Sequence, residues 1–239
     1  MNEWKEAMWL VKFELGKSAR GFIQLILNTV LFLGVTVLAF SLGIGKTAIV
    51  DFMFMILFGF SAAWSRTKDF QSQKVQRDVW ASPYFMTLSQ LPIGKGILVK
   101  SRFLTYFMTV IPAQLIFMIL LYSFSPSLNS ELGMGGFAAF SLMWLAFSIF
   151  FGLSFPAIEA GDMINRTRMV IYSIMLYGGG IAAVILFNTY SSGLVGWTIM
   201  AAGKWPLLTS LLAIAAAAAC TLFYKKYMLK KMATIDYLS

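Results

Sequence analysis

Phe52-Met53-Phe54-Met55-Ile56-Leu57 is apolar at six consecutive positions, within a run over 48–64 whose only charged residue is Asp51. A half-buried strand alternates polar and apolar residues, and a helix on a water-soluble surface keeps one polar face. A run that is apolar all round belongs inside hydrocarbon or a deep core. Leu25-Ile26-Leu27 behaves the same way, and five further runs cover roughly 21–42, 103–122, 134–158, 169–187 and 205–224. Each is close to the ~20 residues that a helix needs to cross ~30 Å of hydrocarbon. A membrane barrel would instead show shorter segments alternating every second residue. The sequence therefore predicts an all-α polytopic membrane protein with six transmembrane helices. With 239 residues and 59% hydrophobic composition, it leaves little chain for a soluble domain.

The formal charge of +9 could mark a nucleic-acid binder, but its placement argues otherwise. Lys5, Lys12, Lys17 and Arg20 precede the first run, and Arg66, Lys68, Lys74, Arg77, Lys95, Lys100 and Arg102 separate the second from the third. Arg166 and Arg168 separate the fourth from the fifth, and Lys225, Lys226, Lys230 and Lys231 follow the sixth. That is 17 of the 19 basic residues, with only Lys46 and Lys204 in the other gaps. The positive-inside rule then puts both termini in the cytoplasm, in a multi-pass protein of the cell membrane with no nucleic-acid partner. Charged residues precede the first long apolar run, which is not the order of a cleavable signal, so that run is expected to remain as a helix. The chain has no His and one Cys, Cys220, which excludes His-based catalysis and a CxxC metal site.

Residues 2–18 read as an interfacial helix with Trp4, Ala7, Met8, Val11 and Leu15 on one arc and the lysines off it. The long polar stretch 65–102 is expected to hold a soluble helix over 66–81. A break at Ser82-Pro83 follows, then a short amphipathic element over 84–96 closed by Pro92, Gly94 and Gly96. That build suits a protruding surface that docks a partner. The gaps on the other side, 43–47, 123–133 and 188–204, read as short loops.

Gly45-Lys46-Thr47 lacks the earlier glycine of a phosphate-binding loop, with Phe40 in that place, and reads as a connecting turn. No nucleotide-binding motif occurs elsewhere, so the chain is not expected to be an enzyme by itself. Asp51 reads as an interfacial carboxylate. Gln24 and Asn28, four apart on one helical face, serve either helix packing or a substrate path. No set of acidic residues forms a relay across the bilayer, and no filter sequence marks a channel. Gly178-Gly179-Gly180 and Ala213–Ala219 permit close helix approach, Pro112 predicts a kink, and Pro206 fits a helix start.

Leu88-Ser89-Gln90-Leu91-Pro92-Ile93, followed by Lys100, resembles the leucine-proline-hydrophobic turn leading into a lysine of the type-2 exporter permeases of the ABC transporter superfamily. The span order resembles that family over essentially the whole chain. Gly94-Lys95 departs from the family's small hydroxyl residue and arginine, and a large extracellular insert is missing. The resemblance implies an interfacial elbow helix over 1–20 and a six-helix permease domain over 21–239. It implies a coupling loop at 65–102, a second, smaller contact at 156–168 and a cytoplasmic tail at 225–239. It also implies a separate ATPase subunit as partner, through which ATP and Mg act with no cofactor on this chain, and a second permease copy or paralogue. Arg77, Asp78, Tyr84, Leu88, Leu91, Pro92 and Lys100 would couple to the ATPase, with Glu159, Asp162 and Arg166 from the second contact. Compact members of this shape resemble exporters of antimicrobial or amphipathic peptides, such as the bacitracin-resistance and phenol-soluble-modulin exporters of Gram-positive bacteria. The alternative from the residues alone is a non-transporting membrane anchor that recruits a cytoplasmic partner through 65–102.

Overall fold

A computed structural model describes residues 3–76, 79–163 and 165–234. The chain is mostly helical, and five helical segments are long and apolar enough to cross a membrane: Ala19–Ser41, Lys95–Phe124, Pro126–Glu159, Thr167–Tyr190 and Pro206–Thr234. A sixth apolar helix, Ala48–Trp64, is shorter.

Helix α1 (Glu3–Lys17) lies before α2 (Ala19–Ser41) and α3 (Ala48–Trp64). Next come a 3-10 turn (Lys68–Phe70), strands β1 (Gln73–Gln76) and β2 (Val79–Ala81), and the short helix α4 (Pro83–Ser89). Helix α5 (Lys95–Phe124) continues through Pro112 as one element. Helix α6 (Pro126–Gly152) is broken at Gly133, whose φ of 59° suits glycine. Then come α7 (Ser154–Glu159), β3 (Asp162–Met163), α8 (Arg166–Ser173), a π-helical turn (Ile174–Gly178) and α9 (Gly179–Tyr190). Helices α10 (Gly193–Lys204) and α11 (Pro206–Thr234) complete the described chain, with α11 starting at Pro206 as its fixed φ favours.

Two expectations are corrected. Among the described residues, 66–81 hold no helix beyond the single 3-10 turn; β1, β2 and β3 make an antiparallel sheet in that order, with Trp80 opposite both Lys74 and Asp162. Local composition favoured a helix, but Val79 and Trp80 suit a strand once β3, about 80 residues away, supplies the pairing. The stretches 123–133 and 188–204 are not loops either: only Ser125 separates α5 from α6, and α10 occupies Gly193–Lys204 and packs into the bundle through Val195, Ile199 and Ala202.

The core divides by level. At one end of the bundle Phe54, Phe58, Phe117, Phe140 and Trp144 stack with ring centroids 4.8–6.5 Å apart. At the other, Leu10, Phe85, Leu88, Leu98, Tyr106, Leu153 and Met228 pack together. This second level also gathers α1, the sheet and the end of α11, with Lys95 Nζ donating to the Met232 carbonyl (2.9 Å). We call it the basic end.

Candidate functional site

Four ionisable side chains from four elements meet inside the basic end. Glu14 comes from α1, Arg66 from just beyond α3, Arg102 from α5 and Glu159 from the end of α7; each is buried. Arg66 Nη1 donates to Glu159 Oε1, and its Nε lies 3.6 Å from Glu14 Oε1. Arg102 Nη2 pairs with Glu14 Oε2, and its Nη1 lies 3.7 Å from Glu159 Oε2. Each carboxyl group thus sits between both guanidinium groups, so the ring sets two acids against two bases. Burial alone would lower the Arg66 pKa, but Glu159 and Glu14 beside it hold it raised, so the guanidinium stays charged. Thr105 Oγ1 also reaches Glu14 Oε2 (3.3 Å).

The local chain sets this geometry. Gly21 of α2 lies against the backbone at 65–66, where an added Cβ would come within 2.8 Å of Ser65 C and Arg66 N. Gln71 Nε2 donates to the Ala63 and Arg66 carbonyls (2.8 and 2.9 Å), closing the end of α3. The Ser82 amide donates to the Glu159 carbonyl (3.1 Å), fixing the start of α4 to the end of α7. The ring is held more by charge than by directed bonds. Glu14 Oε1, Glu159 Oε2 and Arg102 Nε have no hydrogen-bond partner among the described residues. Such a set can shift its pairings without changing its net charge.

Tyr84 connects this ring to the surface. The Arg102 guanidinium carbon lies 5.3 Å from the Tyr84 ring centroid. Tyr84 in turn meets Phe70 (4.8 Å) and Phe13 (6.0 Å), and Phe13 stacks with Trp9 (6.5 Å). Burial pushes the Tyr84 phenol up, so it stays protonated. Helix α4, which carries Tyr84, is capped by Ser82 Oγ accepting from the Phe85 amide (3.4 Å).

The residues expected to couple to a partner divide by place. Leu91 is 50% exposed and Pro92 is exposed, whereas Leu88 is buried beside Phe85 and Glu159 sits in the ring. Lys100 pairs with Glu3 and lies 5.2 Å over the Trp4 ring. The hydrogen bond from Lys100 and its charge hold the exposed Glu3 carboxyl below its ordinary value. Asp162 pairs with Lys231, with Tyr227 Oη at 3.5 Å. Arg77, Asp78 and the Arg166 side chain lie outside the described residues. Gln24 is exposed and Asn28 half-buried, outside both core levels.

Sequence reasoning missed the roles of Glu14, Arg66 and Arg102. The buried arc of α1 is Ala7, Leu10, Val11 and Glu14, rotated from the expected one, with Trp4 exposed. Glu14 falls seven residues after Ala7, on the same helical face. A charge in line with an apolar face was the available signal.

At the far end, Asp51 sits in the first turn of α3 and is fully buried by the chain. Its Oδ2 accepts from Asn188 Nδ2 (2.8 Å) and the Leu194 amide (2.9 Å), and its Oδ1 from the Val195 amide (2.8 Å). A carboxylate on two free amides at a helix start stabilises α10. Gly193, with φ of 83°, has no room for a Cβ, which would lie 2.8 Å from Asp51 Oδ2.

Between α3, α6 and the α8–α9 segment lies an apolar cavity of about 800 Å³, open to the side, lined among others by Phe52, Gly59, Phe147, Tyr172 and Gly179. Among the described residues no group of three His, Cys, Asp or Glu side chains could hold a metal ion. Neither a protein-family model, nor a curated protein, nor a solved structure matches the chain.

Proposed function

We propose that the chain is the membrane subunit of an ATP-driven exporter, with six spans, both termini in the cytoplasm of the cell that holds it, and ATP hydrolysed by a separate ATPase. The observation that carries this reading is the buried Glu14–Arg66–Arg102–Glu159 ring. It ties α1, the ends of α3 and α7, and α5 together directly behind Tyr84 of α4. A push on α4 would therefore reach three apolar helices through buried ion pairs rather than through a loose loop, which coupling between two sites requires.

In this reading the ATPase docks on the exposed part of the basic end, Leu91, Pro92 and the Trp9–Phe13 rings, and Arg77 and Asp78 remain contact candidates from the sequence alone. Leu88, Glu159, Asp162 and Lys100 act from inside, since each is buried or paired within the chain. The lateral cavity, with almost no polar lining, suits an apolar or amphipathic cargo such as a peptide. Transport needs two such subunits, this chain twice or with a paralogue.

The test is co-expression with candidate ATPases, measuring copurification and ATP turnover for wild type, Leu91→Asp and charge reversals at Arg77 and Asp78. The proposal expects a stable complex that weakens in Leu91→Asp, with turnover responding to amphipathic peptides. Lack of association with any ATPase would shift the reading to a membrane anchor, and equal turnover with and without peptides would remove the peptide cargo.

A further inference from the structure

We propose that residues 167–177 form a gate that closes onto α3 and α6 by bending at Gly178-Gly179-Gly180, and that the structure holds this gate open. The inference does not depend on the exporter reading. Every described side chain from 167 to 177 is exposed, whereas Val184, one to two turns beyond the glycines, is buried. Between β3, held in the sheet by β2 and by the Asp162–Lys231 pair, and the buried Val184, no side chain of 167–177 is packed into the chain. A π-helical turn at Ile174–Gly178 interrupts the α-helical ladder where α9 begins.

The glycines give the second, independent observation. Glycine is among the weakest helix formers, so three in a row inside a helix need a reason. Packing supplies none here: a Cβ on Gly178 or Gly179 would meet nothing within 4 Å, and one on Gly180 would touch only the end of the flexible Met55 side chain, 3.3 Å away. Across the cavity stands Gly59 of α3, another residue without a side chain, where an added Cβ would make only ordinary contacts, 3.8 and 3.9 Å, with Phe147 and Phe151. Small residues on facing helices allow backbones to approach closely. Closing the gate brings Gly179 and Gly180 toward Gly59 and fills the cavity with Tyr172 and Leu176. Bending at the glycines leaves the Asp51–α10 anchor undisturbed.

The test places spin labels at Ile56→Cys and Leu176→Cys, both on the cavity wall, in full-length chain with Cys220→Ser, reconstituted in lipid nanodiscs. Distances are read by double electron–electron resonance. The gate predicts two distance populations. Gly179→Val, which has free room in the open structure, should deplete the shorter one at least fivefold. Gly59→Ala acts from the opposite wall in the same direction and keeps the test decisive should Gly179→Val misfold. A single distance matching the open arrangement, unchanged by either substitution, overturns the proposal. So does a short distance that appears when singly labelled Ile56→Cys and Leu176→Cys chains are mixed, because the gate would then be closing on a second copy.

Discussion

Arg102→Met removes one guanidinium from the ring and leaves Glu14 with one charged partner, the Nε of Arg66 at 3.6 Å, beside the Thr105 hydroxyl. Breaking a buried ion pair from one side costs about 3–5 kcal/mol, because the remaining charge stays desolvated. At about 2–4 °C per kcal/mol for a chain of this size, that lowers the unfolding midpoint by roughly 6–20 °C. Glu14→Met should cost a similar amount by leaving Arg102 with only Glu159 Oε2, at 3.7 Å. The double variant behaves differently. It keeps the direct Arg66–Glu159 pair, leaves one acid against one base and fills the vacated volume with apolar atoms, so its loss should fall to about 0–2 kcal/mol. The assay is thermal unfolding of the purified full-length chain in one detergent, followed by tryptophan fluorescence, for wild type, both singles and the double. Independent sites would add their costs. A double variant that loses the sum of the two singles would refute the ring as an electrostatic unit. The same variants separate stability from coupling. If the ring carries force from α4, the double variant stays folded, still binds the ATPase, and loses the link between cargo and ATP turnover.

The other predictions are local. Asp51→Ala frees the Leu194 and Val195 amides and Asn188, and charge-assisted hydrogen bonds are worth about 1.5–3 kcal/mol each. It should destabilise by several kcal/mol and speed proteolysis near 191–193, while Asp51→Asn should lose about half as much. Gly21→Ala forces a Cβ against backbone at 2.8 Å and should cost about 1–3 kcal/mol or more by thermal melt. Gly16→Ala, which meets nothing within 4 Å, should stay within about 0.5 kcal/mol of wild type or gain slightly. Tyr84→Phe keeps the ring over Arg102 and should be nearly neutral in the same melt. Tyr84→Ala should lose about 2 kcal/mol or more from the desolvated cation–π contact and the aromatic stack.

The apolar helices were legible because lipid imposes a crude rule, length and apolarity, that single residues such as Leu25 or Phe54 cannot hide. Short punctuation was legible too: Pro206 opens a helix as expected, and the break expected at Ser82-Pro83 falls at the start of α4. Pairings across the chain were not. Val79 and Trp80 look like helix residues until Asp162 and Met163 arrive to pair with them. The apolar helix α10 lay in an assumed loop because its start depends on Asp51, more than 140 residues earlier. The ring was hidden for the same reason, although each member left a local trace. Glu14 interrupts an apolar arc, and Arg102 follows Ile97-Leu98-Val99 with too few residues to leave the core again. Two such charges of opposite sign, each on a face that should be buried, predict one another. The sequence does not say which partner each one finds.

The two electrostatic sites flank the same helix. Asp51 sits in the first turn of α3 and Arg66 just past its last, with Phe54 and Phe58 packed into the aromatic core between them. Pinned at both ends by buried charge and in the middle by ring stacking, α3 cannot tilt or slide without breaking contacts worth several kcal/mol. Among the described residues, the facing α8–α9 segment has no buried side chain from 167 up to Val184 comparable to these. A stiff wall opposite a wall whose middle makes no packed contact is the arrangement in which a small force produces a large change in the cavity between them. Any force arriving through α4 first meets Arg102 and then the Arg66 end of α3. The rigid wall therefore transmits, and the opposing wall moves.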